Sequence, residues 1–353
     1  MRILVIQHKM IGDVLVSSII CNNLRKAYPN AQIDYLVNDN TVDVLKGNPS
    51  ISNLVVFDKK AQNSTFELIK FAIGLRKNKY DIVIDAYSKL QSWIIVLLCG
   101  GKTKISYKKI GRTFLYDYNV PFAENPETNL GLAIERRLSL LTPLRIMAEI
   151  DPIPKVFLDE KERQFATTLF DQHKVNPNRK TVMISLLGSE KLKTYPLSYM
   201  AEIVNCISDT YDVNILFNYF PKQLEEATLI YNQCSEKTQK NVYFDLLGSN
   251  LREYIAIMDK CDVIVGNDGG AVNLAKALEK PSFIIFSPWI EKKIWATFED
   301  GIHHTSIHLN DVHPDLIEEI SEKELKENAI SLYEELKPKY VIDQLIPFLN
   351  QYL

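Results

Sequence analysis

The chain has 353 residues, enough for two domains of ordinary size with a core each, and its 46% hydrophobic and 24% charged content is that of a globular protein. The formal net charge of −3 gives no general attraction to nucleic acid, so any anion binding has to be local. Five cysteines (Cys21, Cys99, Cys206, Cys234, Cys261) are scattered without CxxC spacing, which argues against a disulfide framework and a zinc site and fits a reducing compartment.

Residues 2–6 form a short β-rich run with no leader-like apolar region before it. No apolar stretch reaches the roughly 18 residues a spanning helix needs, so a cytoplasmic location is expected. The loop Gln7-His8-Lys9-Met10-Ile11-Gly12-Asp13 follows, and then Val14, Leu15, Ile19 and Leu24 recur at helical spacing. Strand, loop and helix at the start of an α/β sheet put Asp13 beyond the carboxyl end of a strand, where such sheets bind ligands. A helix N-cap is the competing role for Asp13. No GxGxxG follows the strand, so a nicotinamide dinucleotide site is not expected.

Further strands are read at residues 33–37, 54–57 and 81–85, between helical segments at 42–46, 66–76 and 90–98. The apolar stretch 93–99 reads as buried helix, and a strand at 103–107 closes the first sheet. Lys102, Lys104, Lys108, Lys109 and Arg112 make the densest basic cluster, either a solvated face or a docking site for an anionic acceptor or lipid headgroups. Periodicity fades over 114–129, where an irregular segment is expected, and 130–141 reads as a helix carrying Arg136 and Arg137.

Asp151-Pro152-Ile153-Pro154 is the linker candidate, dividing residues 1–150 from a second domain over 155–339. The second series reads as helix 160–173, strand 181–186, the loop Leu187-Gly188-Ser189-Glu190-Lys191-Leu192-Lys193-Thr194-Tyr195-Pro196, strand 214–218, helix 222–233 and strand 242–244. After the run Asp245-Leu246-Leu247-Gly248-Ser249-Asn250-Leu251-Arg252-Glu253 comes a buried strand at 263–265. The tight loop Gly266-Asn267-Asp268-Gly269-Gly270 leads into a helix bearing Val272, Leu274, Ala275 and Leu278, and a last apolar strand occupies 282–286. Consecutive glycines can take positive φ and let a ligand approach the main chain, while the free N–H groups of the following helix favour an anion. The plainer alternative is an Asp268 cap and a simple turn. His303, His304, His308 and His313 raise a metal reading, with His304 and His308 on one helix face. Asp311-Val312-His313-Pro314 breaks any helix and no carboxylate pattern completes a site, so no metal is expected. Amphipathic helices at 322–336 and 341–349 end the chain.

Taken together, these stretches resemble glycosyltransferase family 9, the heptosyltransferase-like enzymes. Gly266, Asp268, Gly270, Leu274, Ala275, Ala277, Leu278 and Pro281 keep the register of the family's pattern Gly-x-Asp-(Thr or Ser)-Gly-x-x-His-(Leu or Ile)-Ala-x-Ala-Leu-Gly-x-Pro. Gly269, Asn273 and Glu279 depart from it, standing where the family has a hydroxyl residue, His and Gly. Lys193, Tyr195 and Pro196 are similar to its Lys-x-aromatic-Pro, Gly12-Asp13 to its N-terminal Gly-Asp, and residues 245–253 to its Asp-Leu-x-Gly-x-x-x-Leu-x-Glu.

The resemblance implies an α/β GT-B fold, two Rossmann-like domains facing a central cleft, with a C-terminal helix at about 340–353 packing back on the N-terminal domain. It implies inverting, metal-independent transfer of a heptose or related sugar from a nucleotide-sugar donor, ADP-heptose among the candidates, to lipopolysaccharide core or a related surface glycan. No cofactor is implied. Asp13 would be the general base, and Lys193 would offset charge on the departing nucleoside diphosphate. Ser189, Asp268, Gly269, Gly270, Asn273 and Leu251 would bind the donor on the C-terminal domain; Lys9, Lys104, Lys108 and Arg112 would bind the acceptor on the N-terminal domain. Gln223 stands near the place of an acidic residue that often touches the donor ribose. Closure about the linker would bring Asp13 to the donor. The resemblance also implies a cytoplasmic enzyme, peripheral at the inner face of the inner membrane, with no nucleic-acid partner. A nucleotide-sugar epimerase of the same architecture and a non-catalytic sugar-nucleotide-binding protein are the rival readings.

Overall fold

The apolar runs of the first half become six parallel strands: β1 (Arg2–Ile6), β2 (Gln32–Asn38), β3 (Asn53–Phe57), β4 (Ile82–Asp85), β5 (Thr103–Tyr107) and β6 (Tyr118–Val120). They are seen in a computed structural model that describes every residue except Glu319. The chain divides into two units, Met1–Phe157 and Leu158–Leu353. The division falls just past the expected linker because Asp151 is tied into the first unit. Its N–H donates to Asn23 Oδ1 and its carbonyl accepts from Asn23 Nδ2, each at 2.8 Å.

In the first unit the strand order is β3-β2-β1-β4-β5-β6, so Ile3 of β1 sits between Ile33 and Ile82. The chain lays strands outward from β1 in one direction, then returns and continues from β4 in the other. This is the doubly wound plan, with its reversal between β1 and β4. The helices of eight residues or more are α1 (Ile11–Ala27), α2 (Thr65–Gly74), α3 (Leu90–Leu98) and α4 (Leu132–Ser139). Two expectations need correction. The sheet does not close at β5, because β6 pairs with it inside the segment read as irregular; three residues are too few to show a period. Nor is α3 wholly buried. Ser92, Ile95 and Val96 face inward, whereas Leu90 and Leu97 stand in solvent.

The second unit repeats the plan. Its strands and its helices of eight residues or more are α5 (Glu160–Gln172), β7 (Lys180–Ser185), α6 (Leu197–Thr210), β8 (Val213–Asn218), α7 (Leu224–Gln233), β9 (Val242–Tyr243), α8 (Leu251–Asp259), β10 (Val263–Asn267), α9 (Gly270–Ala277), β11 (Ser282–Ile285), β12 (His304–Ile307) and α10 (Pro338–Leu349). The order β12-β11-β10-β7-β8-β9, again all parallel, reverses between β7 and β10. The fold is α/β, with two Rossmann-like domains. On the closing helix Val341, Leu345, Phe348 and Leu349 form the apolar stripe, and they lie in the core of this second unit with Phe283, Ile285 and Ile307. His304 lies on a strand, which removes the shared helix face imagined for His304 and His308. Among the described residues no cluster of His, Cys, Asp and Glu could hold a metal ion.

Candidate active site

Asp13 falls in the first turn of α1, at the carboxyl edge of the first sheet beside the reversal point. Met10 is the N-cap, so Asp13 does not serve as one. Its Oδ1 accepts from Arg137 Nη2 at 2.5 Å. Arg137 comes from α4 and is nearly buried; its Nε donates to Ser17 Oγ at 3.2 Å and its Nη1 to the Ala133 carbonyl at 3.1 Å. A guanidinium held at three points fixes the carboxylate in turn, and the helix N-terminus adds positive potential there. Oδ2 has no hydrogen bond to a described residue, and the Asp13 side chain is 25% exposed. A carboxylate pinned through one oxygen with the other free can take a proton from a ligand.

The neighbouring loops hold this edge together. Asp85, at the end of β4, is fully buried, and burial pushes its carboxyl pKa up. It accepts from the Ser88 N–H (2.8 Å), Ser92 Oγ (2.8 Å) and Tyr116 OH (2.6 Å), so its capacity is spent on the fold. His8 packs 4.0 Å from the Tyr87 ring and bonds Gln91 Oε1 through Nε2 at 3.2 Å; burial pushes its pKa down to about 4, so it is neutral. The basic cluster separates. Lys102, before β5, pairs with Asp81 at 2.7 Å, and Lys104 lies in the amino half of β5. Past its carboxyl end, Lys109 donates to the Ser88 carbonyl at 2.9 Å and the Arg112 guanidinium lies 4.4 Å from the Trp93 ring centre. Lys108 is exposed nearby, and Lys9 lies 5.8 Å from the Tyr87 ring centre.

In the second domain β7 and β10 end side by side, and one buried residue joins the loops that follow. Asn267 donates through Nδ2 to the carbonyls of Ser185 (3.0 Å) and Leu186 (2.9 Å), and its Oδ1 accepts from the Tyr195 N–H (2.7 Å). Gly188 turns so tightly that a Cβ there would sit 2.4 Å from the Lys193 carbonyl oxygen. Its N–H donates to Thr194 Oγ1 (3.1 Å), and its carbonyl accepts from Gln223 Nε2 (2.8 Å). Gln223 is thus engaged with the main chain. Ser189 is exposed at the loop tip. The Lys193 ammonium lies 5.4 Å from the ring centre of Trp289, which also carries Lys326 at 4.8 Å and donates to the Leu192 carbonyl at 3.2 Å. Burial raises the Asp268 pKa, opposed by the charges of Lys193 and Lys276.

The glycines behave otherwise than expected. Gly269 is extended (φ 167°), and a Cβ there would meet nothing within 4 Å. The positive φ belongs to Gly266 (132°), where a Cβ would lie 2.4 Å from the Ser185 carbonyl oxygen. Helix α9 begins at Gly270 with no capping side chain, so Asp268 does not cap it, and in its first turn the Val272 N–H donates to the Gly269 carbonyl at 3.2 Å. Asn273 Nδ2 reaches back to the Gly269 carbonyl at 3.4 Å. Leu251 opens α8, whose Tyr254 OH accepts from Asn218 Nδ2 at 2.9 Å, placing α8 by the end of β8. Ser189, Lys193, Asp268, Gly269, Gly270 and Asn273 therefore surround adjoining strand ends. Arg137 and Trp289 were not read as site residues. An arginine one turn beyond the apolar stretch Leu132-Ala133-Ile134, on the same helix, was the available signal for the first; nothing local marked the second.

The sequence pattern of glycosyltransferase family 9 (heptosyltransferase) matches residues 68–314, a span that includes Arg137, Lys193 and Asp268 and begins after Asp13. Lipopolysaccharide heptosyltransferase 1 of Campylobacter coli is 24% identical over 306 residues, covering 81% of this chain and 84% of that protein. The solved structure of a glycosyl transferase family 9 protein from Veillonella parvula superposes with a TM-score of 0.82 at 18% identity, over 99% of this chain and 97% of that one. The E. coli ADP-heptose lps heptosyltransferase II superposes with a TM-score of 0.73 at 20% identity, over 99% of each. Both Rossmann-like domains are shared with these proteins, and the chain is a glycosyltransferase that belongs to glycosyltransferase family 9.

Proposed function

We propose that the protein is an inverting, metal-independent heptosyltransferase that takes its sugar from ADP-heptose and adds it to lipopolysaccharide core or a related surface glycan at the cytoplasmic face of the membrane. The observation that carries this reading is the meeting of the Gly188 to Lys193 loop with the Asp268 to Gly270 loop at the reversal point of the second sheet. That is where a doubly wound sheet binds a nucleotide. Heptose and lipopolysaccharide are the substrates in the names of the Campylobacter coli and E. coli relatives.

The donor pyrophosphate lies against the Gly269 and Gly270 main chain at the start of α9, with Ser189 and Lys193 reaching it and Asn273 and Leu251 beside the nucleotide. The buried Asp268 lies within the field of that ammonium, which rests against the Trp289 ring. As the bond from the anomeric carbon to the diphosphate oxygen breaks, Lys193 offsets the charge left on the leaving group, the work a divalent cation does elsewhere. Asp13 Oδ2 takes the proton of the acceptor hydroxyl while that oxygen bonds the anomeric carbon from the opposite face, which inverts its configuration. Arg137 keeps the carboxylate aimed. Lys9, Lys108 and Arg112 offer cationic contacts to an anionic acceptor; Lys104 stands farther from that edge.

The test is transfer from ADP-heptose to a deacylated core oligosaccharide in EDTA, with the product's anomeric configuration read by NMR. Asp13→Asn is expected to lower kcat by about 10³-fold. It should leave intact the rise in Tm caused by ADP, because a ligand of the folded state alone stabilises it. Retained configuration, dependence on added metal, or an unimpaired Asp13→Asn variant overturns the assignment, and a Tm rise with GDP, UDP, CDP or dTDP instead of ADP renames the donor.

A further inference from the structure

A helix lying on a parallel sheet ordinarily turns mostly polar residues to solvent, whereas α2 and α3 expose several large apolar side chains. On α3 Leu90 and Leu97 stand in solvent, 65% and 56% exposed, and between them Trp93 and Ile94 are half-buried against the core. On α2, which packs beside α3, Phe66 is 72% exposed and Ile69 and Ile73 follow it outward, while Leu68 and Ala72 face the core. Gln91 Nε2 donates to the Gln62 carbonyl at 3.1 Å, holding the start of α3 beside the turn into α2. Past β5, Ile110 is fully exposed and Phe114 is 79% exposed, and Arg112 over Trp93 ties that segment to α3. Isolated surface hydrophobes need no explanation, but a continuous apolar face on adjoining elements does.

Charge surrounds this face with one predominant sign. Lys70 and Lys77 flank the outer side of α2, and Lys89, Lys108, Lys109 and Arg112 stand at the ends of β4 and β5; α3 itself carries no charge. The single carboxylate on α2, Glu67, lies 3.8 Å from Lys70. Leu90 and Ile110 follow strand ends at the same edge of the sheet as Asp13, and the His8 to Gln91 bond joins the loop before Asp13 to the start of α3.

We propose that this face docks the protein on an anionic phospholipid bilayer, with Leu90, Leu97, Ile110 and Phe114 entering the interface and Lys89, Lys108 and Arg112 meeting lipid phosphates. Apolar side chains ringed by cations complement such a surface, which offers an acyl boundary beneath a layer of phosphates. The inference deepens the proposed function, on which the choice of a lipid surface partly rests, because a lipid-anchored acceptor would then meet the Asp13 edge.

The test is co-sedimentation of the full chain with vesicles of phosphatidylethanolamine and phosphatidylglycerol, against phosphatidylcholine alone. Partitioning is expected to be about tenfold stronger on the anionic vesicles and to fall about tenfold in roughly 1 M salt. The paired change Ile110→Ser with Phe114→Ser, and separately Leu97→Ser, should each weaken it about tenfold while leaving the ADP-induced Tm rise unchanged. The salt and headgroup series on the unaltered protein stands even where a variant folds poorly. Absence of binding, or binding indifferent to headgroup and substitution, overturns the proposal. So does a dimer in light scattering that the paired change dissociates without any vesicle binding, which would make the face a contact between copies. Transfer to the deacylated acceptor needs no vesicle, so failure there strikes the transferase reading and leaves the docking result to stand separately.

Discussion

The two domains share one strand order and equip its reversal point in different ways. In the first, a side chain does the presenting: Asp13 is held by Arg137, which is itself fixed to Ser17 and Ala133, and one carboxylate oxygen is left free. In the second, main chain and empty space do it. Gly269 has nothing within 4 Å of where its Cβ would be, α9 starts without a cap, and the side chains that matter most for shape work from behind. The plan supplies a place, and the residues just after the strands decide whether it offers a proton acceptor or an anion seat.

The largest effect is expected at the buried staple of the second domain. Asn267→Ala strands the Ser185 and Leu186 carbonyls and the Tyr195 N–H, for a loss of about 3 kcal/mol. Urea unfolding should show it, and the ADP-induced Tm rise should vanish with it. A variant as stable as the parent would mean the loops are held by Thr194 and Gln223 instead.

Acid comes next, and it tests both domains with the same sign. His8 keeps a folded pKa of about 4 against an ordinary 6.5, so the folded state disfavours its proton. Stability is then whole above about pH 6.5 and is lost as pH falls toward 4, by up to about 3 kcal/mol. His304, bonded to Ser282 Oγ at 3.0 Å in the second domain, is likewise lowered to about 4. A pH series of melting curves should steepen below 6.5 in the parent, and His8→Phe should remove the first domain's share. An unchanged series in the variant would place the acid sensitivity elsewhere.

Much of this was legible in the sequence wherever the signal is local. β1 and α3 follow their apolar runs, and the glycine-rich stretch after β10 carries both the loop and the family pattern. What stayed hidden depends on partners far along the chain. Arg137 matters because it meets Asp13, 124 positions away, and Trp289 because Leu192 and Lys193 come to it. The closing helix shows a clear apolar stripe, but a stripe does not say which core it joins. The apolar content of α3 read as burial, since composition cannot separate a core face from an exposed one.

Lys193→Met sharpens the contrast at a more modest cost. The ammonium is held beside Trp289 by ring contact rather than by a paired carboxylate bond, so the fold should tolerate its loss. If it offsets charge on the leaving diphosphate, kcat/KM should fall about 10- to 100-fold and the ADP-induced Tm rise should shrink. The Asp13 variant is expected to keep that rise, so the two together separate chemistry from binding. Loss of kcat with donor binding intact would move Lys193 from the donor seat to the reaction itself.

The smallest effect is expected at Gly269, where the family carries a hydroxyl residue. Gly266 and Gly269 stand three positions apart and are glycines for unlike reasons. The first sits at φ 132° against the Ser185 carbonyl and admits no Cβ, whereas the second is extended and faces open space. Gly269→Ser should therefore change stability by less than about 0.5 kcal/mol. Its hydroxyl would sit in front of α9, where it can donate to a phosphate, so the Tm rise with ADP should hold or increase. A lost rise would show that the bound donor fills that space, and that the second domain offers a bare main chain where a side chain would obstruct.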